Sequence, residues 1–81
     1  MKRLTEGMTW QERQGRTMCS VRSTKQLIVD FINTGYMNAP QVPTIRGWIM
    51  DELEKRDPVA YDEWLAGTAD DHDLYKYFNV I

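Results

Sequence analysis

The sequence predicts an all-α fold, a small bundle of three to four short helices behind a partly flexible N-terminal arm. Three observations carry this. Apolar residues recur at helical spacing between residues 27 and 81, Ser, Thr or Asp stands where several of those stretches begin, and the prolines fall at the joints. Residues 1–22 form the arm and residues 23–81 the helical domain in this reading.

The most regular stretch is Thr44–Leu65. Thr44 has the side chain of an N-cap, and Ile45, Trp48, Ile49 and Leu53 follow as one stripe at i, i+3, i+4 and i+8. Asp51 with Lys55, and Glu52 with Arg56, are acid-before-base pairs four residues apart, each worth about 0.2–0.5 kcal/mol on a helix surface. Asp57-Pro58 ends this helix and starts another. A residue before proline avoids the α region, Asp57 can cap, and Pro58 suits a first helical position. Ala60, Tyr61, Trp64 and Leu65 form the next stripe, and Gly67 is placed to stop it.

Upstream, Thr9-x-x-Glu12 matches a capping box and predicts a short turn over Trp10–Gln14, ended by Gly15. Arg16–Arg22 alternates weakly and reads as loop, because a lone strand has nothing to pair with. Ser23 with Gln26 is a second capping box, opening a helix through Leu27, Ile28, Phe31 and Ile32 that Gly35 closes in the left-handed conformation. Tyr36–Pro43 is a loop whose prolines hold Ala39 and Val42 extended. Thr68–Asp73 is a polar turn before a last helix carrying Leu74, Tyr77, Phe78 and Ile81. The expected core is Leu27, Phe31, Ile45, Trp48, Ile49, Leu53, Tyr61, Trp64, Leu65, Leu74 and Phe78.

Composition narrows the function classes. The chain has 81 residues with 42% hydrophobic content, enough for one small core. Its single cysteine, Cys19, excludes an internal disulfide and a cysteine-rich zinc site. No apolar run approaches the length of a membrane span, and Met1–Gly7 lacks the apolar segment of a signal peptide, so an intracellular, cytoplasmic location is expected. The glycines are too scattered for a phosphate loop. Asp70, Asp71, His72 and Asp73 lack the alternating ligands and central glycine of a calcium loop, and acids are expected at a helix start in any case. A lone Cys19 and a lone His72 make no nucleophilic pair. The expectation is therefore a protein that is not an enzyme, with no catalytic residues, no metal and no cofactor.

Charge is distributed unevenly. The net charge is −2, yet residues 1–45 sum to +3 and residues 46–81 to −5. Within Asp51–Asp73 nine acids face only Lys55 and Arg56. Duplex DNA carries about one charge per 1.7 Å of axis, so a compact face of carboxylates can imitate it and occupy a basic nucleic-acid channel. Asp51, Glu52, Glu54, Asp62, Glu63, Asp70, Asp71 and Asp73 are the candidate face. Tyr75 and Met50, off the main stripes, are candidate exposed contacts. The opposing reading is a small nucleic-acid-binding regulator that uses Lys2, Arg3, Arg13, Arg16, Arg22 and Lys25 as a basic arm, with Trp10 to stack on bases. A helix-turn-helix is disfavoured, because the 36–43 connection is long and the second helix acidic.

The run RGWIMDELEKRDPVAYDEWL (46–65), followed by DLYKYF (73–78), resembles a group of short proteins encoded by phages and prophages of Gram-positive bacteria. The resemblance covers about half the chain and carries no functional residues with it. It implies an inhibitor or modulator of host machinery, anti-CRISPR proteins among the possibilities. The partner it implies is a host protein with a basic nucleic-acid-binding groove, such as a CRISPR effector.

Overall fold

A computed structural model describes residues 9–80, and these are all-α. The helices are α1 (Trp10–Val21), α2 (Thr24–Thr34), α3 (Val42–Arg56), α4 (Pro58–Ala66) and α5 (Leu74–Tyr77), with a 3-10 turn at Asp71–Asp73 before the last. The described residues thus hold five α-helices rather than three or four, and the extra one comes from the expected arm. Central α3 packs against α1, α2 and α4, while α5 and the 3-10 turn close the bundle against α2.

Three caps form as the residues dictate. Thr9 Oγ1 accepts from Glu12 N at 3.1 Å, Ser23 Oγ from Gln26 N at 3.1 Å, and Asp57 Oδ1 from Ala60 N at 3.0 Å. The Asp57-Pro58 joint is built as expected, with Asp57 serving both as C-cap of α3 and as N-cap of α4.

Residues 10–21 depart most from expectation. They form a 12-residue helix, not a frayed turn followed by a loop. Gly15 is not its end but a notch in its middle, where an added Cβ would overlap the indole ring of Trp48. The small face of α1, Gly15 and buried Cys19, lets α3 approach closely. The helix end is tied down by Arg56, whose guanidinium donates to the carbonyls of Cys19 (3.1 Å), Ser20 (3.2 Å) and Arg22 (2.6 Å) and to Thr24 Oγ1 (3.1 Å). The Cys19 carbonyl also accepts from Arg22 N at 3.3 Å, so Arg56 adds to the capping that the last carbonyls of a helix need. Residues 1–8, including Lys2 and Arg3 of the expected arm, lie outside the described residues, as does Ile81.

Other corrections are local. Helix α3 begins at Val42, with Gln41 as N-cap, so Thr44 lies inside the helix and makes no cap. Pro43 falls in the first turn, where a missing N–H costs nothing, and Val42 is helical instead of extended. Gly35 has φ −64°, in the right-handed region. The left-handed positions belong to Ala69 (φ 52°) and Asn79 (φ 53°). Gly67 does end α4, and its small size leaves room for the Tyr77 hydroxyl.

The buried core is Cys19, Leu27, Ile28, Phe31, Ile49, Leu53, Ala60, Tyr61, Trp64 and Leu74. Ile45, Trp48 and Phe78 pack against it half-buried, whereas Leu65 is exposed instead of buried. The Trp64 ring meets Phe31 edge-on at 6.0 Å and Tyr61 at 5.9 Å, and its Nε1 donates to Asp70 O at 2.7 Å. Arg46 turns in. It stacks 3.8 Å over the Phe31 ring and donates to Phe31 O, to Thr34 Oγ1 and to both oxygens of Asp71. One side chain thus joins α2, α3 and the 3-10 turn.

Candidate functional site

The eight candidate carboxylates divide by what holds them. Glu52 is largely covered, its side chain 13% accessible, and pairs with Arg56 Nε at 3.1 Å. Asp71 is gripped by Arg46 at 3.0 Å. Asp70 caps the 3-10 turn, accepting from His72 N at 2.9 Å, and Asp73 accepts from the Thr68 hydroxyl. Glu52 and Asp71 are thus tied into the bundle by arginines, whereas Asp70 and Asp73 make local surface hydrogen bonds that leave their charges un-neutralised. The charges of Glu52 and Asp71 are offset by these arginines.

Asp51, Glu54, Asp62 and Glu63 remain on α3 and α4. Asp51 is exposed and accepts from Arg16 Nη1 at 2.9 Å, which raises the guanidinium's affinity for its proton. Glu54, Asp62 and Glu63 are exposed and have no ion-pair partner among the described residues. Glu54, Asp51 and Asp62 all act on Tyr61. Burial first, then these three carboxylates, push its phenol above the usual range. Three acids of α3 and α4, though not Glu63, thus lie near enough to act on one buried tyrosine. The expected Asp51–Lys55 pair is not formed: Asp51 pairs with Arg16, and exposed Lys55 makes no ion pair among the described residues.

Tyr75 and Met50 are not freely exposed. Both are half-buried and pack on the core, and Tyr75 shares a shallow depression with Lys25, Lys76 and Val80. Of the described basic residues of the expected arm, Arg13 and Arg16 sit on α1, Arg22 at its end and Lys25 in the first turn of α2. Arg16 pairs with Glu12 and Asp51, and Arg22 with Asp30 at 3.2 Å. No group of three or more His, Cys, Asp or Glu side chains is arranged to hold a metal among the described residues. The Cys19 thiol is pushed up by burial first, then by Glu52 and Asp30. That shift disfavours the nucleophilic thiolate.

A second surface was missed by sequence reasoning. A cleft of about 370 Å³ opens between α1, α2 and α3, walled by Met18, Cys19, Ile45, Trp48 and Ile49 with Met37 at the edge. Beside it, α1 exposes Trp10 (72%), Met18 (55%) and Val21 (79%). The signal available was the Thr9-x-x-Glu12 box with no proline before Val21. Read as one helix, residues 10, 18 and 21 share a face.

No protein-family model, curated protein or solved structure was found to match the chain. No described helix is long and apolar enough to cross a membrane.

Proposed function

We propose that this chain is a non-enzymatic interaction protein of phage type, which inhibits or modulates a host nucleic-acid-handling protein, in the manner of an anti-CRISPR protein. Its acidic α3–α4 side occupies a basic groove that otherwise holds nucleic acid. The supporting observation is that Glu54, on α3, and Asp62 and Glu63, on the α4 packed against it, are exposed and make no ion pair among the described residues. Rigid helices place these charges, and Glu54, Asp62 and Glu63 are not spent on internal pairs, so their field is available to a cationic partner.

The test is charge reversal confined to the unpaired acids. Glu54→Lys, Asp62→Lys and Glu63→Lys together leave every capping and clamping carboxylate intact, so helicity by circular dichroism should hold. The assay follows displacement of a labelled target duplex from a purified CRISPR nuclease loaded with its guide RNA, by fluorescence anisotropy. The unmodified chain should release the duplex, more weakly as salt rises, and the triple variant should not. Release that is indifferent to both salt and charge reversal would remove the basis for the reading.

A further inference from the structure

Helix α1 is held to the bundle by little apolar burial. Of its 12 residues only Cys19 is buried, whereas α2 buries Leu27, Ile28, Phe31 and Thr34, and α4 buries Ala60, Tyr61 and Trp64. Its main packing neighbour is α3, and the close approach there, at Trp48, meets a glycine on the α1 side. Towards α2 an open apolar cleft takes the place of packing, with Met18 and Cys19 on one wall and Ile45 and Ile49 on the other. Side chains along an unfilled space lack the dispersion contacts that would hold them.

The remaining ties are polar. Arg16 meets Asp51 at 2.9 Å, with 57% of the Asp51 side chain accessible, and exposed pairs of this kind are weak. Arg56 grips the other end of the helix. Two of its acceptors there, the Arg22 carbonyl and Thr24 Oγ1, belong to the joint between α1 and α2. That joint is Arg22–Ser23, two residues of extended backbone between helices.

We propose that α1 is a strap. It lifts off α3 as one unit, turning about Arg22–Ser23, while α2 to α5 stay folded. Segments with few buried apolar contacts open below the cost of global unfolding, and hinges are a few residues at element ends that absorb the backbone change. Arg56 keeps the Arg22 carbonyl and Thr24 in the open form, so the root of the strap stays in place as the Trp10 end swings. Closed, the strap neutralises Asp51 through Arg16 and packs against the Trp48 ring. Open, it frees Asp51 from Arg16 and bares Trp48. The strap thereby regulates the charge and the apolar surface that α3 presents. It is a property of the isolated chain and stands whether or not the acids meet a nucleic-acid-handling partner.

Amide hydrogen exchange of the full chain, followed by NMR at increasing sub-denaturing urea, tests the strap. Detached, α1 is a short helix with a glycine inside it, marginal on its own, so its amides exchange whenever it opens. The amides of Gln14–Val21 should share one protection factor, at least about tenfold below those of Phe31 and Leu53. They should also depend less on urea, because opening exposes less surface than unfolding does. Ala60→Gly weakens α4 and should lower protection at Phe31 and Leu53 by about fivefold while leaving α1 unchanged. Asp51→Asn removes the Arg16 tie and should lower α1 protection by about two- to fivefold. A single protection factor and urea dependence for all helices would overturn the proposal. So would α1 protection that falls with that of Phe31 in Ala60→Gly, that ignores Asp51→Asn, or that declines smoothly from Val21 to Trp10 as in end fraying.

Discussion

The same substitution, glycine to alanine, should have opposite effects at two positions in this bundle. Gly15 and Gly47 both lie inside helices, where alanine is intrinsically favoured by about 0.5–1 kcal/mol. At Gly47 a new Cβ meets nothing within 4 Å, so Gly47→Ala should gain most of that amount. At Gly15 the Cβ would overlap the Trp48 ring, which must be displaced from its packing on the core. Overpacking of this kind costs about 1–3 kcal/mol. Set against the propensity gain, Gly15→Ala should destabilise by up to about 2 kcal/mol. Urea and thermal unfolding followed by circular dichroism read both changes, with about 4–8 °C in Tm per kcal/mol expected for a domain of this size. In a Trp48→Ala background the clash is gone, and Gly15→Ala should then stabilise. That reversal is the coupling a double-mutant cycle measures. If Gly15→Ala stabilises the unmodified protein as Gly47→Ala does, Trp48 does not sit in the Gly15 notch and the placement of α1 is wrong.

Two further outcomes follow from the interior. Arg56→Ala removes one charged fork from three carbonyls, Thr24 and Glu52, and should cost about 2–4 kcal/mol in urea unfolding. Arg56→Lys should recover only part, because an ammonium cannot span the same set. A loss under about 0.5 kcal/mol, the usual size for a surface change, would contradict the capping role. The raised Tyr61 phenol keeps its proton in the folded chain at a pH where the unfolded chain has lost it. Its contribution is whole below the unfolded phenol's pKa, about 10, and is lost as pH rises through the folded value. Tyr61→Phe should therefore flatten the alkaline decline of stability, and equal declines in both proteins would count against this burial.

What could be read from the chain itself was short-range. The Ser23 and Asp57 caps, the proline joint and the stripes through Leu27–Phe31 and Ile49–Leu53 depend on groups within a few residues of one another. Periodicity and side-chain chemistry specify such features without reference to the rest of the molecule. The Thr9 box is legible too, but Gly15 reads as a stop, because a glycine's propensity is visible in sequence and the ring it accommodates is not. The acidic face was legible only as a count. One local signal does separate two of its members: Glu52 has Arg56 four residues on and is held by it, whereas Glu54 has Pro58 at that spacing and is left free.

The long-range pairings decided the rest. Arg46 reaches Asp71 across 25 residues, and Arg56 reaches the Arg22 carbonyl across 34. These contacts turn Asp71 into an internal fastening and anchor the end of an ordered helix where a short turn and a loop were expected. By itself the sequence determined the helical class and most helix starts, since hydrogen bonds within one or two turns set those. Only the tertiary structure decided which charges remain for a partner and which face of α1 is left bare, because both depend on what packing has already consumed.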